Sequence, residues 1–211
     1  MIQSAIFTLG ILLLASPTTD CEVDLSKTDR LTVVNRAVSP LEDGTGARLD
    51  ARPGDGVAWV EGCSFSEGVI ELDLRGKDVP GRSFVGVAFR GVDDSTYKAV
   101  YVRPFNFRAE DRVRHDHAVQ YISHPEHTWF SLREAYPEVY KNPVEPAPDP
   151  NDWVHVRVVV SGSLVSVFVG DGEEPDLVVE RLSGRESGMV GLWVGNGSDG
   201  DFANLVIRPA L

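Results

Sequence analysis

The strongest constraint on this chain is a two-residue rhythm that keeps returning. From Val69 to Arg75, Ile70, Leu72 and Leu74 fall on one side and Glu71, Asp73 and Arg75 on the other, the signature of a strand with one buried face. Trp153–Val160 (WVHVRVVV) and Leu164–Val169 (LVSVFV) flank Ser161-Gly162-Ser163. Ser83–Arg90 and Tyr97–Arg103 flank a turn at Gly91-Val92-Asp93-Asp94, so each pair reads as a hairpin. Leu31–Val38, Val57–Glu61, Leu177–Leu182, Met189–Val194 and Phe202–Ile207 add further strands. Roughly ten short strands punctuated by Gly, Asp and Pro predict an all-β fold, a two-sheet antiparallel jelly-roll sandwich, and argue against βαβ units. No internal repeat is present.

The rhythm breaks once. Thr128–Tyr140 (TWFSLREAYPEVY) places Trp129, Leu132 and Tyr136 at helical spacing, and Pro137 ends or kinks that helix. A Pro-rich connection, Asn142–Pro150, follows. Residues 104–152 therefore read as one long insertion carrying one short helix. Long connections in compact domains are functional or disordered, and the aromatics and histidines here argue for order.

The 211 residues fit a single sandwich domain. A formal net charge of −12 disfavours binding to nucleic acid or to an anionic membrane surface, because phosphates demand the opposite sign. Ala5–Ala15 (AIFTLGILLLA) is apolar but too short to span a bilayer, which takes about 20 residues. Residues 1–20 read as a signal peptide or a disordered leader, leaving 21–211 as one domain in a secreted, periplasmic or cell-surface protein. Of the two cysteines, Cys21 and Cys63 either form one disulfide in such a compartment or stand as independent thiols.

The hairpin Asn151–Val160 with Val165–Val169 resembles that of concanavalin A-like lectin/glucanase domains, and Gly188–Trp193 with Asp201–Ile207 resembles their closing strands. Within that superfamily the chain is most similar to bacterial 3-keto-disaccharide hydrolase-like (DUF1080-type) and laminin G-like domains. The resemblance implies a sandwich with a concave face and sugar-binding loops. Some members of the superfamily cleave glycosides and others only bind.

Three constellations carry candidate chemistry. Glu71 and Asp73, two apart on a strand, share a face, and glycosidases use paired carboxylates. The glucanase strand motif places a third acid where this chain has Gly76, so a solvated strand face is the alternative. Second, His115, His117, His124 and His127 cluster in the insertion, with His117 and His124 as candidate bases. Around them Arg103, Asn106, Arg108, Gln120, Tyr121 and Trp129 are candidate substrate-binding residues: forks for hydroxyls or for the carboxylate of an acidic sugar, and flat faces for its C–H surface. Tyr101 and Trp193 are further candidate platforms. The alternative is that these Arg and His side chains pair with surplus acids to tie the loop down. Third, Asn196, Asp199 and Asp201 form an oxygen-rich loop that suits calcium or, equally, an ordinary turn. No nucleophile elbow, P-loop or dinucleotide fingerprint occurs.

The sequence thus predicts an exported carbohydrate-active sandwich that binds, and as a glycoside hydrolase or lyase would cleave, a glycan. Its alternative is a structural or interaction domain with no sugar ligand.

Overall fold

Strand alternation sorts the chain into two antiparallel sheets in the computed structural model, which describes residues 20–210. The leader expected at residues 1–20 lies almost wholly outside the described residues. In chain order the strands are β1 (Cys21–Val23), β2 (Leu31–Val34), β3 (Val38–Pro40), β4 (Gly46–Leu49), β5 (Gly56–Phe65), β6 (Gly68–Arg75), β7 (Val85–Gly91) and β8 (Lys98–Val102). Helix α1 (Arg112–His115), β9 (Val119–Ser123), α2 (Trp129–Ala135) and β10 (Lys141–Asn142) follow, then β11 (Val154–Ser161), β12 (Leu164–Val169), β13 (Leu177–Glu180), β14 (Gly188–Val194) and β15 (Gly200–Pro209). One sheet has the order β13-β12-β11-β6-β15-β4-β3, with β1 added on β15, and the other runs β10-β9-β8-β7-β14-β5-β2.

The eight-stranded sheet keeps the clean alternation of its sequence. Ile70, Leu72 and Leu74 of β6 and Val156, Val158 and Val160 of β11 are buried, while the residues between them are only partly covered. The seven-stranded sheet does not alternate: β7, β8 and β9 are buried along their whole lengths. Its inner face packs on the first sheet, and its outer face is overlaid by its own aromatic rings and by the insertion, so both faces lose water.

One expectation is corrected by register. Leu31–Val38 is not one strand. Asn35 adopts φ 52 and its Nδ2 donates to the carbonyls of Pro53 (2.9 Å) and Asp55 (2.8 Å), so the chain turns there and β2 and β3 join different sheets. Within the insertion, β9 and β10 extend the seven-stranded sheet. The helix expected after Thr128 forms: the Thr128 hydroxyl caps it by accepting from the Ser131 amide (3.2 Å), and it ends at Ala135, before Pro137. A second short helix, α1, is capped by Asp111.

Cys21 and Cys63 are disulfide-bonded, linking β1 of one sheet to β5 of the other.

One core residue breaks the apolar rule. Lys98 is fully buried, and its ammonium reaches only the carbonyls of Ser183 (3.4 Å) and Arg185 (3.2 Å). Burial, with Arg90, Arg185 and Arg181 nearby, pushes its pKa down to about 7 from the ordinary 10.5. Between those values the unfolded chain holds a proton that the folded chain has released, so stability rises with pH across that window. Below it both states are protonated and the folded state carries the whole cost. Lys98→Met is therefore expected to raise the melting temperature by roughly 5 °C at pH 6 and by much less at pH 10. Thermal melts at the two pH values check this, and an equal gain at both would contradict it.

Candidate functional site

Gly86 lies between Tyr101 of β8 and Trp193 of β14 on the outer face of the seven-stranded sheet. A methyl group there would sit 2.1 Å from the Val100 carbonyl oxygen and 2.7 Å from Tyr101 Cβ, so only glycine allows this approach. The two rings close to 4.9 Å between centroids. They line the bottom of a cleft of about 530 Å³, whose upper wall is the insertion.

On the insertion side, Arg103 is 5% exposed and ties strand to loop. Its guanidinium donates to the Tyr101 hydroxyl (2.8 Å), to Gln120 Oε1 (2.5 Å) and to the His117 carbonyl (2.9 Å), and it lies over the Tyr101 and Phe84 rings at 4.9 and 5.6 Å. Asn106, in a 3-10 turn opened by Pro104, donates to the same His117 carbonyl (3.1 Å). His117 Nδ1 faces the Val113 carbonyl, which fixes the proton there and leaves Nε2 as a lone pair in the neutral ring. Burial, first among several causes, lowers the His117 pKa and favours that neutral form. Among the described residues Asn106 Oδ1 and His117 Nε2 have no hydrogen-bond partner, although both residues are more than nine-tenths buried and line the cleft. Arg114 of α1 and Trp129 and Arg133 of α2 complete this wall.

On the other wall, His124 stacks on Tyr97 (5.0 Å, 12°) with its Nε2 3.9 Å from an Asp55 carboxylate oxygen. Tyr97 in turn accepts from Trp193 Nε1 (3.1 Å). Burial raises the Asp55 pKa and lowers that of His124, while each partner's charge opposes the shift.

The structure therefore brings Arg103, Asn106, His117, His124 and Trp129 together at one cleft, with Tyr101 and Trp193. Gln120 lies beneath it, accepting from Arg103 and Tyr101, and acts through them. Tyr121 points the other way: strand phase sends it between the sheets, where it stacks on Phe89 (6.3 Å) and is fully buried. Arg108 stands outside, paired with Asp149 (3.0 Å). Glu71 and Asp73 occupy the outer face of the other sheet, Glu71 paired with Arg208 and Asp73 with His155 (2.7 Å) and Asn204 (2.6 Å). Of the calcium loop, Asn196 lines the cleft, while Asp199 and Asp201 are committed to cations of the protein. Asn196 accepts from the Gly54 amide (2.7 Å), Asp199 meets Lys77, and Asp201 meets Arg75 (2.7 Å) and Arg48 (2.9 Å). Among the described residues no three His, Cys, Asp or Glu side chains converge as a metal site. Asp55, Tyr97 and Arg133 were not singled out by sequence. Asp55 sits in Pro53-Gly54-Asp55-Gly56, which reads only as a turn.

No protein-family model matches the sequence, and no curated protein matches it either. Solved structures do. The carbohydrate-binding module CBM66 from Bacillus subtilis aligns with a TM-score of 0.61 at 18% identity, over 85% of this chain and 96% of that one. A Bacillus subtilis protein of unknown function with a galectin-like fold gives 0.59 at 12% identity, over 88% and 94%. The exoplasmic/lumenal domain of VIP36, solved with Ca²⁺ and Man3GlcNAc, gives 0.58 at 10% identity, over 90% and 88%. At these identities the likeness shows the fold alone: this chain is a two-sheet β-sandwich of the lectin-like type.

Proposed function

We propose that this protein recognises a carbohydrate in the cleft on the outer face of the seven-stranded sheet. One observation carries the reading: aromatic faces and unpartnered buried polar atoms share one cleft. Trp129, half exposed, offers a flat apolar surface to a sugar's C–H face above a floor made by the nearly buried Tyr101 and Trp193, while Asn106 Oδ1 and His117 Nε2 await hydroxyl donors. Buried polar atoms left unpaired are costly, and a ligand hydroxyl removes that cost. The sugar-binding neighbours, the carbohydrate-binding module and the VIP36 domain bound to Man3GlcNAc, support the same reading. Export belongs to it too, since the Cys21–Cys63 disulfide suits an oxidising compartment. Calcium has no part in it, because Asp199 and Asp201 already meet cations of the protein. Among the described residues no helix is long and apolar enough to cross a membrane.

Binding is favoured over hydrolysis by paired carboxylates because Asp55 is the only carboxylate lining the cleft among the described residues, and that mechanism needs two. A second reading, cleavage of a keto-glycoside, rests on His124: its lowered pKa leaves it a neutral base beside Asp55. New reducing ends, lost in His124→Ala, would support it.

A glycan-array screen tests the proposal. Trp129 is 47% exposed, so Trp129→Ala is expected to leave the fold intact while weakening binding about 30-fold, the loss of one aromatic anchor worth about 2 kcal/mol. No retained glycan, or unchanged binding by the variant, would overturn it.

A further inference from the structure

Resting on that carbohydrate reading, we infer that the sugar is acidic, and that its carboxylate docks on the arginine wall formed by Arg103, Arg114 and Arg133. The chain as a whole carries −12, yet three guanidinium groups line this one cleft. None of the three pairs with a carboxylate among the described residues. Arg103 binds neutral oxygens only, Arg114 donates to the Phe105 carbonyl (3.0 Å), and Arg133 lies over the Trp129 ring at 5.2 Å. Arg48, Arg75, Arg108 and Arg208 are ion-paired, whereas Arg90, Arg185 and the buried Lys98 form a second cation cluster held by carbonyl and hydroxyl oxygens. Arg90 and Lys98 are fully buried, but Arg114 and Arg133 are exposed at the cleft, where an anion from outside can reach them. The charges act on one another: burial first, and the Arg133 charge in addition, lower the pKa values of both Arg103 and His117.

The unpartnered atoms narrow the class of anion. Asn106 Oδ1 and the neutral His117 Nε2 are acceptors, and an inorganic phosphate or sulfate ion at neutral pH offers them little or nothing. A uronic acid offers both halves of the match: ring hydroxyls donate to those acceptors, and the carboxylate accepts from planar guanidinium forks. Trp129 and Arg133 set the geometry. The Arg133 guanidinium lies over the Trp129 ring, 5.2 Å from its centroid, so a cation and an aromatic platform stand together on one wall of the cleft.

The test compares matched pairs by calorimetry on the full chain: oligogalacturonate, oligoalginate and hyaluronan oligomers, each against its carboxyl-reduced, neutral counterpart. At least one acid is expected to bind tenfold or more tightly than its counterpart and to lose most of that margin at high salt. Arg133→Gln and Arg114→Gln alter exposed side chains, so they are expected to fold normally and erase the margin. Equal binding of acid and neutral counterpart in every pair, or a margin that survives both substitutions, would overturn the inference and leave the carbohydrate reading standing. A neutral array glycan bound while every acid is refused would do the same. Refusal of every glycan would sink both.

Discussion

Arg103→Met is expected to destabilise the protein by about 3 kcal/mol and to abolish ligand binding. The guanidinium is the joint between β8 and the insertion. It satisfies the Tyr101 hydroxyl, Gln120 Oε1 and the His117 carbonyl, and Tyr101 and Gln120 are 2% and 4% exposed, so water cannot replace it freely. Methionine keeps much of the apolar stem but none of the donors. The His117 carbonyl keeps Asn106 as a donor and Gln120 Oε1 keeps the Tyr101 hydroxyl, so each loses one of two bonds, while the Tyr101 oxygen loses its donor. A buried acceptor left bare costs about 1–3 kcal/mol, offset in part because the charge itself no longer has to be buried. Loss of the joint also frees the loop that carries Asn106 and His117. Arg103→Lys, which keeps the charge but reaches fewer acceptors, should fall between the two. Urea denaturation measures the loss, and a change below about 1 kcal/mol would show that the network is dispensable.

Removing the disulfide ranks with it. The bridged cysteines are 42 residues apart, and closing a loop of that length restricts the unfolded chain by about 4 kcal/mol in the entropic account. The bond also holds β1, a three-residue strand that pairs with β15 alone among the described residues, to β5 of the opposite sheet. Cys21→Ser/Cys63→Ser is expected to melt roughly 10 °C lower than wild type. Reductant should bring the wild type to the same point and leave the double variant unchanged. Insensitivity of the wild type to reductant would contradict the claim that this bond carries stability.

The parts of the fold visible in sequence were those where one face meets water. Val69–Arg75 and the hairpin of β11 and β12 alternate because their outer residues are solvated, and both form with the expected phase. Strand β9 escaped notice because it is buried on both faces and shows no alternation, only a short mixed run between histidines. The same loss of phase explains Tyr121. Without a polar–apolar rhythm nothing in the sequence told that Gln120 and Ile122 face outward and Tyr121 inward. The break at Asn35 depends on carbonyls 18 and 20 residues away, which no local pattern reveals. Of the candidate site, the insertion side was legible because Arg103, Asn106, His117, His124 and Trp129 cluster in the chain. Asp55 was not, since β5 brings it to His124 from the far end of the sequence.

The central claim is that the cleft between the insertion and the seven-stranded sheet holds the sugar, and the four tryptophans report on it directly. Trp129 and Trp193 line the cleft, whereas Trp153 lies outside it under the Arg75 guanidinium, 4.8 Å from the ring centroid. The measurement is a titration of ¹⁵N-labelled protein with the strongest glycan from the array, following the indole resonances. The account predicts saturable shifts at Trp129 and Trp193 and a silent Trp153. Shifts at Trp153 with Trp129 and Trp193 unmoved would place the ligand elsewhere and contradict it.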